Sequence, residues 1–214
     1  MEDDLPLVTT SPKIKKEIFV NPLKITDLYS LEHYASIRSD FRAQVIAHKK
    51  NRTVAIGPNA TLQFEDRLTI QYQVQEMLRA ERLYLPEEIQ GELDAYNPLI
   101  PEGNQWKATF FIEVTDADER KTALEEWAGI ENFLWIQVTG FDRVFAVSDE
   151  DMPRGNSEKT SAVHFSSFTL DPKMVENVHA GAEISIGIDH PKYQHALCPV
   201  PANIQKSLAS MFFN

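Results

Sequence analysis

Glu81 lies near the end of Asp66–Tyr84, a stretch whose apolar spacing predicts a helix. At about 100° per residue, Ile70, Val74, Met77, Leu78 and Tyr84 share one face, and Glu81 projects into its middle with Gln73 and Arg67 at the edges. A carboxylate on a core face needs a partner, because burying it alone is costly or raises its pKa until it is neutral. Three histidines are also placed inward by pattern. His48 shares a helix face with Phe41 and Val45, and His164 shares a strand face with Ala162, Ser166 and Phe168. His190 continues the phase of Ile184, Ile186 and Ile188 and ends its strand before Pro191, which is expected to stop the ladder and leave the ring facing a cleft beside Tyr193.

Glu81, His164 and His190, with His48, form a ligand set that a single zinc or iron ion would accept, to activate water or handle peroxide. Without a metal, a glutamate of raised pKa or a histidine next to Tyr193 could serve as general acid or base. The structural reading competes with both: an inward histidine is commonly satisfied by a carbonyl or a tyrosine, and an inward glutamate by an arginine, here Arg42, Arg67 or Arg143. No two of the four sit at i, i+3 or i, i+4, so their convergence depends on the fold. Glu76 projects about 140° from Glu81, towards a solvated or partner-facing side, and Glu65 precedes the helix, where it could help to cap it.

The phosphate-binding glycine loop, the dinucleotide fingerprint, His-Glu-x-x-His, Cys-x-x-Cys and Gly-x-Ser-x-Gly are all absent. Cys198 is the one cysteine, flanked by Leu197 and Pro199, and is expected to be inert packing with no disulfide to make. With 214 residues, 43% apolar and 25% charged, the chain can bury a sizeable core. A net charge of −11 argues against a nucleic-acid binder, which needs a basic face. The basic run His48-Lys49-Lys50-Asn51-Arg52 fits a helix C-terminus, where cations offset the macrodipole. No apolar run has the length of a signal peptide or a membrane span, so a cytoplasmic protein is expected.

Met1–Pro22 reads as a flexible tail and residues 23–214 as a single globular domain. Thr26 is expected to cap a first helix to about Ile37, and a second runs from Ser39 to Asn51. Thr53–Ile56 and Thr61–Phe64 form a hairpin about Gly57-Pro58-Asn59-Ala60; a shorter helix follows Pro86 up to Tyr96. Lys107–Val114 alternates like a strand, although Phe111 on its second face implies that both sides are covered. Asp116 caps a helix to about Ala128, and Asn132–Val138 pairs with Arg143–Ser148 across Thr139-Gly140-Phe141-Asp142. The acidic loop Asp149–Lys159 then leads to a strand over Ser161–Leu170, a helix opened by Asp171-Pro172, a last strand over Glu183–Asp189 and a helix from Pro201. The order predicts an α+β fold with N-terminal helices packed on a mostly antiparallel sheet of about five strands.

Six blocks together resemble an uncharacterised bacterial family, domain of unknown function 3501, over about Ile25 to Ser210. They are Phe41-Arg42-Ala43-Gln44-Val45-Ile46-Ala47-His48-Lys49, Phe64-Glu65-Asp66-Arg67-Leu68-Thr69, the run from Gln73 to Glu81, Tyr96-Asn97-Pro98-Leu99-Ile100-Pro101, the run from Lys159 to Phe165, and Asp189-His190-Pro191-Lys192-Tyr193. The resemblance brings no catalytic residue. It implies a genetic neighbourhood with a rubrerythrin-like protein and an iron–sulfur oxidoreductase resembling the cysteine-rich subunits of heterodisulfide reductase, hence an accessory role in redox or peroxide defence. This chain lacks the thiolates for a cluster of its own and could at most dock to the protein that bears one. Such docking predicts an exposed aromatic patch, for which Phe133, Trp135 and Met211-Phe212-Phe213 are candidates, with core packing as the alternative.

Overall fold

The computed structural model describes residues 22–148 and 159–213, without the side chain of Phe213. The expected tail, except Pro22, and the acidic loop, except Lys159, lie outside these residues.

Thr26 falls in a 3-10 turn, Ile25–Asp27, and Ser30 caps α1 (Leu31–Lys49) by accepting from the His33 amide at 3.3 Å. The two helices expected on either side of Ser39 are one. No glycine or proline interrupts Arg38-Ser39-Asp40, and Tyr34, Phe41 and Val45 recur along a single buried face. The hairpin β1 (Thr53–Ala55) and β2 (Ala60–Phe64) follows as predicted. Asp66 opens α2 (Arg67–Glu81), its carboxylate taking the Thr69 amide at 3.0 Å while Thr69 Oγ1 takes the Asp66 amide at 2.9 Å. The helix stops at Arg82, whose φ of 58° reverses the chain, and Pro86 starts α3 (Pro86–Tyr96).

The remaining elements are β3 (Gln105–Ile112), α4 (Ala117–Glu126), β4 (Leu134–Val138), β5 (Val144–Phe145), β6 (Val147–Ser148), β7 (Val163–Thr169), α5 (Pro172–His179), β8 (Ile184–His190), β9 (Tyr193–Leu197) and α6 (Ala202–Ser210). They make an α+β fold with two antiparallel sheets, a five-stranded one in the order β1-β2-β3-β7-β6 and a four-stranded one in the order β5-β4-β8-β9. Two local events create the second sheet. Arg143–Ser148 is not one strand: β5 pairs with β4 and β6 with β7, so the chain crosses between sheets at Ala146, whose amide still bonds Leu134 O at 2.9 Å. Nor does Pro191 end the ladder. It occupies a two-residue turn with Lys192, and His190 pairs with Tyr193 to begin β9.

One core joins the inner faces of the sheets, with Leu62, Phe64, Trp106 and Phe110 from the first and Leu134, Ile136, Ile184, Ile186 and Ile188 from the second. Helices α5 and α6 add Met174, Val178, Ile204 and Leu208. The outer face of the five-stranded sheet lies under α1, α2 and α3, whose apolar residues form two smaller clusters around Ile70, Val74, Leu78 and Leu93 and around Tyr34, Phe41 and Val45. The covering of both faces implied by Phe111 is thus present. The expected aromatic patch is core instead: Trp135 and Phe212 are buried, and Phe133 and Met211 pack against the same cluster. Among the described residues no helix is long and apolar enough to cross a membrane.

The sheets are clamped through Tyr193. Its hydroxyl donates to Ile56 O at 2.7 Å and accepts from the Asn59 amide at 3.0 Å, fastening β9 onto the β1–β2 turn. Gly57 lies beneath it at φ 73°, and a Cβ there would stand 2.5 Å from the His195 ring and 2.7 Å from the Tyr193 oxygen. Gly57→Ala should therefore cost about 3 kcal/mol or more, from left-handed strain plus overlap. Gly140→Ala, at φ 90° but with open space around it, should cost only about 1–2 kcal/mol. Urea denaturation of both variants checks this; equal losses would mean that the clamp adds nothing.

Candidate functional site

The fold disperses the residues that periodicity places together. Glu81 is the exposed last residue of α2: the buried stripe ends at Leu78, and Arg82 turns the chain before a further helical turn can bring Tyr84 inward. Its charge reaches Glu92, whose pKa is raised by burial first and by Glu81 second. Arg67 pairs with Asp27 at 2.8 Å, and Tyr193 is occupied by the clamp. His164 projects from β7 between the two sheets, stacked on Phe110, whereas His190 ends β8 in the other sheet against the edge of Phe133. Among the described residues no three His, Cys, Asp or Glu side chains are placed to share a metal ion. Cys198, expected as packing, is exposed.

Glu131 acts on both histidines, on His164 through a hydroxyl and on His190 through its charge alone. Thr160 Oγ1 lies 2.7 Å from His164 Nε2 and donates to Glu131 Oε2 at 3.0 Å. A hydroxyl with one hydrogen that donates to Glu131 must accept from His164, which assigns the His164 proton to Nε2; Ser161 O, at 3.0 Å, agrees. Burial pulls the His190 pKa down, against a hydrogen bond to the Ala128 backbone and the charge of Glu131, which raise it. Glu131 sits in a 3-10 turn, Ile130–Phe133, where no periodicity could single it out.

The glutamate paired with an arginine is Glu76. Its Oε1 accepts from Tyr34 Oη and Arg38 Nε, both at 2.8 Å, and its Oε2 from Arg38 Nη2 at 2.7 Å, with Arg79 Nε at 3.4 Å. The Arg38 hydrogen bonds hold its pKa down at about 2, and burial pushes the Tyr34 phenol up. A wheel with one core face misses this, because α2 is buried twice, once on the sheet and once on α1.

A second polar assembly lies where α1, the β2–α2 junction and β3 meet. Glu65 is buried, its Oε1 accepting from Thr109 Oγ1 at 2.7 Å and its Oε2 from Thr69 Oγ1 at 2.5 Å. It does not cap α2, since Asp66 does. The Asp66 carboxylate also takes His48 Nε2 at 2.7 Å and Arg52 Nη2 at 3.3 Å. Arg52 is 4% exposed, and its Nε and Nη1 have no hydrogen-bond partner. Burial lowers its pKa, while Asp66 and Glu65 favour the charged form.

Beside this assembly is a cavity of about 160 Å³. Lys49, Glu65, Ile70 and Gln73 come from the helical side, and Thr109 and Phe111 of β3 with Val163 and Phe165 of β7 form the floor. Tyr96 and Leu99 complete the wall. Of the residues singled out from sequence, Glu65 and Gln73 reach it. Lys49, read as a helix-end cation, and Thr109 carry no signal separable from ordinary helix and strand patterns.

One stretch of surface stands apart from these interiors. The Arg143 guanidinium lies 3.9 Å above the Trp135 ring and pairs with Asp189, which also accepts from Trp135 Nε1 at 3.0 Å. Two and four residues on, Phe145 and Val147 are 50% and 51% exposed. They belong to β5 and β6, each one of the two edge strands of its sheet.

These features define an α+β protein of two antiparallel sheets with three helices over a buried carboxylate. The chain belongs to a family described as protein of unknown function (DUF3501), whose model it matches over residues 22–212. It is similar to a crystal structure of a novel protein of unknown function from Burkholderia pseudomallei K96243, with 44% identity and a TM-score of 0.85, over 89% of this chain and 99% of that one. No curated protein matches it.

The Glu76 assembly carries a pH prediction. A carboxylate held below its ordinary value of 4.5 stabilises the fold above that pH, and the contribution is lost as pH falls towards 2. Arg38 is 35% exposed, so solvent screening reduces the gain to about 1–2 kcal/mol. The stability gap between the native protein and Glu76→Gln should narrow by about half between pH 6 and pH 3 in thermal unfolding. A constant gap would assign the loss to packing.

Proposed function

We propose that this protein is a non-enzymatic accessory subunit that docks onto an iron–sulfur oxidoreductase working with a rubrerythrin-like protein in redox or peroxide defence. The observation that carries this reading is the edge Arg143–Ser148. Phe145 and Val147 give the segment a half-exposed apolar stripe on two strands, one in each sheet, whose outer sides pair with no strand among the described residues. Arg143, fixed over Trp135 by Asp189, gives that stripe an oriented polar end. An open edge flanked by an aromatic and a pre-ordered arginine suits addition of an extended segment from another protein, with main-chain bonds supplying affinity and the side chains register. The genetic neighbourhood that the family resemblance implies names the partner. The sequence holds one cysteine, so the cluster belongs to the oxidoreductase.

Purified full-length protein should be captured by the neighbouring oxidoreductase under reducing conditions and across a range of salt. Phe145→Glu combined with Val147→Lys should weaken capture at least about tenfold while leaving the melting temperature unchanged. No complex with the native protein, or equal capture of the folded double variant, would sink the proposal.

A further inference from the structure

We infer that the cavity between the helices and the outer face of the five-stranded sheet is a binding site for a small zwitterionic amino acid, its ammonium on Glu65 and its carboxylate towards Lys49. The site is independent of the docking edge and can fail without it.

The argument rests on charge, size and wall chemistry. Glu65 and Lys49, of opposite charge, line one space of about 160 Å³ with no ion pair between them. Thr109 and Thr69 each give one hydroxyl to one Glu65 oxygen. A carboxylate has about four acceptor positions, so lone pairs remain for a donor that enters. Two threonines also fix the carboxylate plane, and a pre-oriented acceptor binds with less ordering cost. Gln73 and Tyr96 add neutral polar side chains to the lining, and Phe111 and Phe165 add aromatic ones, a class of neighbour that favours an ammonium.

The surroundings favour a ligand of both signs over a simple cation. Arg52, buried next to this assembly with two unpartnered N–H groups, keeps positive charge on the side where α1 ends. A lone cation would meet Lys49 with nothing to offset it, and a lone anion would meet Glu65. Size narrows the class further. A cavity near 150 Å³ accommodates a benzene-sized guest, so the occupant has about six to eight non-hydrogen atoms. Alanine, β-alanine and γ-aminobutyrate are of that size; aromatic amino acids are too large.

The test is calorimetry and thermal shift on the full chain with L-alanine, β-alanine and γ-aminobutyrate, against propylamine and butyrate as single-charge controls. At least one amino acid should bind, raising the melting temperature by roughly 5–10 °C at a hundredfold excess over its Kd. The controls should bind at least about tenfold more weakly. Lys49→Met, at a position whose side chain holds no other element, should lose about tenfold for the amino acid and bind propylamine more tightly than the native protein does. Val163→Phe, which fills the floor of the cavity while keeping a strand-compatible residue, should abolish binding in a protein of native circular dichroism. Four results would each overturn the inference: no amino acid bound up to about 10 mM, controls bound equally well, an unchanged Lys49→Met, or unchanged binding by folded Val163→Phe.

Discussion

Burial of both faces of the five-stranded sheet is the constraint from which the rest of this structure follows. The second sheet takes the inner face, where β2 and β3 present apolar and aromatic residues, from Leu62 and Phe64 to Trp106 and Phe110, and β7 adds His164 and Ser166. Helices α1, α2 and α3 take the outer face, which alternation has filled, beside Phe111, with Gln63, Glu65 and Thr109, residues of a kind that antiparallel sheets ordinarily turn towards water. A polar face under helices must find its partners inside the protein. Thr53 Oγ1 donates to Gln63 at 2.8 Å, Gln63 to Phe64 O at 3.1 Å and Thr109 to Glu65 at 2.7 Å; the cavity lies where these partners leave space.

The same constraint explains how ionic groups are distributed. Interfaces between helices tolerate a charge only where several donors converge, and Glu76 meets this condition with Tyr34, Arg38 and Arg79. At the buried His164, Glu131 accepts from Thr160, and the Thr160 hydroxyl in turn accepts from the imidazole, linking the two groups. Arg52 departs from this economy. It is as buried as the apolar residues around it and satisfies one of its three guanidinium nitrogens. That is an arrangement a structural ion pair would not select, since an arginine with unmet N–H groups costs more than a methionine of similar volume.

Much of the fold was legible because it rests on short-range rules. The Gly57 hairpin, the Asp116 and Asp171 caps and the Ile184-Ile186-Ile188 face all follow from turn chemistry and period. The misses came where a tertiary partner decides. Arg143–Ser148 looks like one strand because nothing within six residues reveals that two sheets will claim its halves. Strand β9 shows only one buried residue in five, too weak an alternation to read. For the candidate site, the inward phase of His164 and His190 was visible, but the carboxylate beside His164 was not, because Glu131 lies in a turn without period. Glu81 failed for a simpler reason: a wheel extrapolates a helix past its end, and Arg82 had already left it.

Strand β7 ties these features together and shows why register, more than any single residue, positions them. Its inward set, His164, Ser166 and Phe168, faces the core, while its outward set, Val163 and Phe165, floors the cavity. On its side away from β3 it carries β6, with Ser166 2.8 Å from Ser148 and Ser167 bonded to Val147 O, one residue of each phase. Pairing with β3 fixes the assignment, with Phe110 opposite His164 and Thr109 opposite Phe165. A slip of one residue would exchange the faces, bringing a phenylalanine to Glu131 and an imidazole to Glu65. The stacked ring of Phe110 and the Thr160 hydrogen bond both resist such a slip, because each is available to His164 only in the observed register. His164, expected as a metal ligand, is thus a pin for the register that sets the cavity floor.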